Sequence, residues 1–193
     1  MKLPIGLMAL WLFIVACAEE GEKQEKKNET KAGYFPVGDY LRGEIGSVDS
    51  LPVGIMKKVI LNNKTDSAFI ERAEFKRLAN EFIGPDIEKN SLEKNFTENS
   101  FMDESTGYLS FTYQARNEEP TTRRIDVLAK PGATSAKVNS IYMEKEYLLH
   151  DTAINERLYW KANTSFRIIK EKKYKDRVPV IEQLLVIWDP AAY

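Results

Sequence analysis

Tyr108-Leu109-Ser110-Phe111-Thr112-Tyr113-Gln114-Ala115 is the stretch that decides the fold class. Leu109, Phe111, Tyr113 and Ala115 alternate with Ser110, Thr112 and Gln114. Successive side chains of a strand point to opposite faces, so this pattern predicts a strand with one buried face. Comparable segments follow at short intervals. Asn117 to Pro120 reads as a turn, and Arg124 to Lys130 as the next strand, closed by Pro131-Gly132. Val138 to Leu149 is long and is expected to bend or break near Glu144 to Glu146. Leu158 and Trp160, then Phe166 and Ile168, flank a turn at Ala162-Asn163, and Val178 to Trp188 is the final strand. Leu184-Leu185-Val186-Ile187-Trp188 is apolar at successive positions. That predicts a central strand covered on both faces, or by a helix on one and the tether on the other. The regular spacing of turns predicts an antiparallel meander.

Upstream the period changes. Val37, Tyr40, Leu41, Ile45, Val48 and Leu51 recur at helical spacing after Pro36, although Gly38, Gly43 and Gly46 weaken the segment. Ile55 to Leu61 reads as a strand that turns at Asn62-Asn63 and returns through Ala68 to Ile70. Ala68, Phe75, Leu78, Ala79, Phe82 and Ile83 form one apolar helical face, opposite Glu71, Arg72, Glu74, Lys76, Arg77 and Glu81. Gly84-Pro85 is expected to end that helix as a C-cap glycine and a breaker. Asp86 to Asn99 reads as a short irregular helix. The expected fold class is therefore α+β. It is a curved, antiparallel, multi-stranded sheet with a meander in the C-terminal half, and helices from the N-terminal half pack on one face.

The chain has 193 residues, of which 43% are hydrophobic and 11% aromatic. That composition supports one domain with a real core. Lys and Arg number 28 against 29 Asp and Glu. A near-neutral balance argues against nucleic acid, whose binding needs a basic face. Cys17 is the only cysteine, so an intrachain disulfide and a cysteine metal cluster are both excluded.

The N-terminus has the layout of a secretory signal: Met1-Lys2, an apolar run from Ile5 to Val15 broken only by Gly6, then Ala16. The run falls short of the roughly 20 residues that a membrane span needs. Ile14-Val15-Ala16-Cys17 resembles the bacterial lipobox, with Val where Ala or Ser is commoner. The resemblance implies that residues 1–16 are removed and that Cys17 becomes an acylated N-terminus carrying fatty chains such as palmitate. Residues 17–33 then read as the lipidated Cys17 followed by a polar tether, with a coil reach of roughly 20 Å. Residues 34–193 read as a single globular domain. Ala18, where an Asp would favour inner-membrane retention, leans the address towards the outer membrane of a Gram-negative envelope. Glu19-Glu20 resembles an acidic surface-export signal.

Further segments resemble a group of small lipoproteins of Bacteroidota without an assigned activity. They are Tyr34-Phe35-Pro36-Val37, the stretch from Glu74 to Phe82, Pro85-Asp86-Ile87, Arg124 to Leu128, Ser140-Ile141-Tyr142 and Trp188-Asp189-Pro190. That resemblance implies localisation and architecture rather than a reaction.

Chemical motifs are sparse. His150 is the only histidine, so a triad could use only His150 with Asp151, and no Gly-x-Ser-x-Gly elbow accompanies it. The simpler reading of His150-Asp151-Thr152 is a polar turn. Ser91 and Lys94 match a Ser-x-x-Lys spacing without its companion elements. Asp103 to Gly107 could offer oxygen ligands to Ca²⁺ but lacks the spaced carboxylates of a calcium loop. Glu144 and Glu146 share one strand face, as paired carboxylates would, and read more simply as a salt-bridged solvated face. Lys170 to Arg177 is the most basic patch; it could touch anionic lipid or polysaccharide, and reads more simply as a soluble hairpin turn.

The expected role is non-enzymatic. The sequence points to a membrane-anchored envelope lipoprotein that binds a protein or glycan partner, with no cofactor, no metal and no nucleic acid. A carrier or chaperone of apolar cargo is the alternative, and a hydrolase-type enzyme the third.

Overall fold

The computed structural model describes residues 34–62, 64–132 and 137–189. The signal segment 1–16, Cys17 and the tether through residue 33 lie outside the described residues. Helix α1 (Val37–Ser50) precedes a hairpin of β1 (Ile55–Leu61) and β2 (Lys64–Ile70). Helix α2 (Arg72–Ala79) continues as a 3-10 turn (Asn80–Phe82), and a second 3-10 turn (Pro85–Ile87) leads to α3 (Lys89–Asn95). Seven strands follow: β3 (Phe96–Asp103), β4 (Tyr108–Ala115), β5 (Thr122–Lys130), β6 (Lys137–Leu149), β7 (Thr152–Lys161), β8 (Ser165–Lys173) and β9 (Val180–Ile187).

All nine strands join one antiparallel sheet in the order β2-β1-β9-β8-β7-β6-β5-β4-β3. The α+β class and the meander hold. The last strand is not an edge, because the early β1–β2 hairpin pairs alongside β9. The sheet is open, with edges at β2 and β3.

The register shows why one face is the core. A single cross-strand row runs Phe111, Val127, Ile141, Trp160, Phe166, Val186. The next row runs Tyr113, Ile125, Met143, Leu158, Ile168, Leu184. The helices pack on these rows. Phe75 of α2 meets Phe166 and Trp188 at centroid distances of 6.0 and 5.8 Å. Phe82 stands edge-on to Trp160 at 5.2 Å and to Phe166 at 5.4 Å. Val37, Leu41, Ile45 and Val48 form the buried stripe of α1, and Glu44 of the same helix accepts the Trp160 indole N–H at 3.2 Å. The Arg72 guanidinium donates to the carbonyls of Val48, Leu51 and Val53, closing the end of α1 onto α2.

Four local expectations are corrected. Ala68 belongs to β2, not to the apolar face of α2. Gly84 is extended at φ −175 and precedes the second 3-10 turn, so it is not a left-handed cap; the chain leaves the helical region already at Ile83. Phe96 to Asn99 continues into edge strand β3 instead of a helix, because pairing with β4 outweighs its polar composition. Strand β6 is not broken at Glu144 to Glu146, since β5 and β7 supply partners on both sides; a register shift in β5 at Thr122/Arg124 lies directly opposite Lys145 and Glu144, and a second falls at Leu128/Ala129. On the outer face Leu185 is half-buried between its cross-strand neighbours Lys58 and Arg167.

Candidate binding cleft

The third row of the inner face breaks the apolar pattern. Lys145 of β6, Glu156 of β7, Lys170 of β8 and Glu182 of β9 are consecutive cross-strand partners. Opposite charges directly across strands stabilise a sheet. Glu156 is the innermost, only 2% exposed. It accepts a hydrogen bond from the Tyr147 hydroxyl at 2.6 Å and an ion pair from the Lys170 ammonium at 3.1 Å.

The 3-10 turn after α2 closes the cluster from above. It places Phe82 into the aromatic core and the neighbouring Glu81 over the charged row. Lys170 also reaches the Glu81 carboxylate at 3.1 Å, and the Lys145 ammonium donates to the Glu81 carbonyl at 2.6 Å. Burial pushes the Lys145 ammonium below its ordinary range, against the opposing pull of Glu156, Glu81 and Asp86. Burial also works against charge on Lys170, but there Glu156 and Glu81 together outweigh it and the shift is upward. The Tyr147 hydroxyl is pushed up by burial and by the Glu156 carboxylate it serves. The site is thus a partly dry cluster in which each charge is held by a neighbour.

Two clefts open here, where the helix layer ends. One of about 450 Å³ is lined by Asn80, Glu81, Ile83, Thr121, Lys145, Tyr147 and Glu156. The other, about 330 Å³, shares Glu81 and Tyr147 and has an apolar floor of Leu78, Leu149, Ile154, Ile168 and Leu184. Arg77, Lys170, Lys172 and Glu182 line it as well. Together they offer ammonium and phenol donors, carboxylate acceptors and an apolar bed, which suits recognition of a polar or amphiphilic group. Comparison with protein-family models, with curated proteins and with solved structures finds no match.

Of the residues singled out in the sequence, Lys170 and Lys172 of the basic run line the cleft and the others lie elsewhere. His150 occupies a left-handed turn at φ 54 between β6 and β7, exposed beside exposed Asp151. Ser91 and Lys94 are on α3, where the Ser91 hydroxyl accepts from Asn95 at 3.1 Å. Glu144 and Glu146 do share the outer face, as expected. The first accepts from the Tyr142 hydroxyl at 2.7 Å and the second pairs with Arg123 at 3.6 Å. Asp103 folds its carboxylate back onto Ser105 and Thr106, with hydroxyl contacts of 2.7 Å to each. Those bonds hold its pKa down at about 2. Among the described residues no group of three or more His, Cys, Asp or Glu is placed to hold a metal. Of the aromatics, Phe111, Tyr113, Trp160, Phe166 and Trp188 are buried, while Tyr142 and Tyr159 pair across strands on the outer face.

Sequence reasoning missed Glu81, Lys145, Tyr147, Glu156 and Lys170 as a group, since they come from four elements. One signal was present. In Ile154-Asn155-Glu156-Arg157-Leu158-Tyr159-Trp160 the inward positions are Ile154, Glu156, Leu158 and Trp160. A carboxylate in an otherwise apolar inward series marks a buried charge that needs partners.

Proposed function

We propose that this protein is a lipid-anchored, non-enzymatic binding protein of the bacterial cell envelope, acylated at Cys17. The cleft beside Glu156 is the site that takes its protein or glycan partner. The signal layout and the lipobox-like Ile14-Val15-Ala16-Cys17 support the anchor, and Ala18 supports the outer membrane as its address. The resemblance to small Bacteroidota lipoproteins agrees with both. The observation that carries the binding site is the buried Glu156–Tyr147–Lys170 cluster opening into two contiguous clefts. Most of the remaining inner face is apolar core, with Glu98 beside Tyr113 as a further carboxylate on it.

A carrier of apolar cargo is the second reading. The leucine and isoleucine floor of the smaller cleft favours it. Against it stands the filled aromatic core, in which Trp160 stacks on Phe166 at 5.4 Å. A carrier keeps such a space open for its cargo.

The test has two parts. Cys17→Ser should move the protein from the membrane fraction to the soluble fraction; retention in the membrane, uncleaved, refutes the anchor. Cross-linking in envelopes of the native host should then be compared between the parent and Tyr147→Phe or Lys145→Ala proteins of unchanged fold. Partners captured by the parent should be lost by these variants, and full retention by both removes the cleft as the site.

A further inference from the structure

The two edges of the open sheet differ. At β3, Glu98 points inward beside buried Tyr113, and an inward charge blunts an edge against further pairing. The other edge, β2, has no such guard. Its seven residues, Lys64-Thr65-Asp66-Ser67-Ala68-Phe69-Ile70, pair with β1 in unbroken register, without a bulge or a proline. Lys64 and Asp66 cancel in charge. Every residue from Lys64 to Phe69 is exposed, so among the described residues neither the helix layer nor a loop covers the strand. Phe69 is 78% exposed, an aromatic side chain standing in water on a free edge. An edge of this kind is a template for another strand.

The hairpin fixes which backbone groups face outward. Two residues join β1 to β2, with Leu61 paired to Lys64. The hydrogen bond of such a turn runs from the Lys64 N–H to the Leu61 carbonyl, so the Lys64 backbone faces β1. Hydrogen-bonded positions recur at every second residue, so Asp66, Ala68 and Ile70 face β1 as well. The N–H and C=O groups of Thr65, Ser67 and Phe69 face outward, and no other segment among the described residues bonds to them. This row is complementary to itself. A second β2, antiparallel about a two-fold axis at Ser67, sets Ser67 opposite its own copy and Thr65 opposite the partner's Phe69. Each such pair exchanges both backbone bonds, and a ring against a β-branched side chain is a favourable cross-strand pair. This register uses the whole strand. An axis at Asp66 would set two like carboxylates opposite each other, and an axis at Thr65 would leave Phe69 beyond the partner strand. We propose that the protein forms a two-fold dimer through β2, two copies joining their sheets edge to edge. The interface is isologous and closes on itself. The dimer depends neither on the cleft nor on acylation of Cys17.

Cys17 is the only cysteine, so the register can be read by cross-linking. In the full chain with Cys17→Ser, Ser67→Cys places two thiols directly across the axis, within disulfide reach. In Thr65→Cys the offset of four residues holds the two thiols about 14 Å apart, beyond that reach. Oxidation should convert most of the Ser67→Cys protein to a covalent dimer and leave Thr65→Cys monomeric. In sedimentation the Cys17→Ser chain should be a dimer, and the same chain with Ser67→Pro a monomer. Proline at Ser67 removes an outward N–H and leaves the β1 ladder intact. An unchanged far-ultraviolet circular dichroism spectrum verifies that this variant folds, and the cross-linking pair decides the matter without it. Cross-linking at both positions alike, or a dimer that survives the proline, would assign association to the apolar N-terminal segment and overturn the proposal. A cross-link at Thr65→Cys alone would refute the pairing about Ser67. A Cys17→Ser chain that is monomeric at every concentration would leave the edge to a strand of another protein and overturn the dimer outright.

Discussion

Glu156 is the residue on which the inner face turns from core to cleft. Its carboxylate is almost fully buried and is shared by Tyr147 and Lys170. Glu156→Ala should cost about 3 kcal/mol in urea unfolding, the low end for breaking a buried pair, because Lys170 keeps Glu81 as a partner. Glu156→Leu combined with Lys170→Met should recover much of that loss, since an apolar pair removes both desolvation costs. A double variant as unstable as Glu156→Ala would show that Tyr147 or Lys145, not Lys170, depends on the carboxylate. Asp103 makes a different kind of prediction. Hydroxyl and amide bonds from Ser105 and Thr106 stabilise its charged form and hold its pKa at about 2, against about 3.9 for a free Asp. A depressed carboxylate contributes order that is complete above the ordinary value and is lost as pH falls towards the depressed one. The Asp103 carboxyl resonance should therefore titrate near pH 2, with the Ser105 and Thr106 amides following it. A midpoint near 4 would mean that the turn is open in solution.

At the scale of elements, the 3-10 turn Asn80–Phe82 does two jobs in three residues. Its tighter winding follows the end of α2 and sets the ring of Phe82 edge-on against the stacked Trp160 and Phe166. The same turn leaves Glu81 above Lys145 and Lys170. Phe82→Ala should lower stability by about 3–5 kcal/mol, the usual loss for a fully buried aromatic ring. It should also loosen the cleft, visible as faster amide exchange in the turn and around Lys145 and Glu156. A loss below about 1 kcal/mol would mean that the ring is not packed as described.

At the scale of the whole molecule, the described domain begins with its first two rings. Tyr34 stacks on Tyr113 at 5.7 Å and Phe35 lies 5.8 Å from Phe111, while the Phe35 amide donates to the Tyr113 hydroxyl at 2.7 Å. If residues 18–32 are the solvated tether that their composition predicts, a chain starting at Gly33 should melt within about 2 °C of one starting at residue 18. A chain starting at Val37 should lose roughly 5–10 °C, the equivalent of about 2–3 kcal/mol for two partly buried rings in a domain of this size. Equal melting of the two truncations would place Tyr34 and Phe35 outside the cooperative unit.

The alternation in Tyr108 to Ala115, and its echoes through Val186, determined the antiparallel sheet without any tertiary information, because a period of two commits one face of every strand to burial. The helical stripes containing Leu41 and Phe75 were legible for the same reason at a period of 3.6. Phe82 and Trp188 were recognisable as core from these patterns alone. Edge strand β3 was not, since Glu98 and Ser100 carry no strand signal and only the β4 backbone draws them in. Nor was the placement of β1 beside β9, which joins segments more than a hundred residues apart in sequence. The cleft was least legible of all. Glu156 announced itself as a charge out of pattern, but its partners Tyr147 and Lys170, and the Glu81 that shares Lys170, are ordinary surface-type residues in their own segments. Local sequence sets which face of an element is buried; which charges meet beneath that face is decided by strand register and by where the helix layer stops, and both are properties of the assembled sheet.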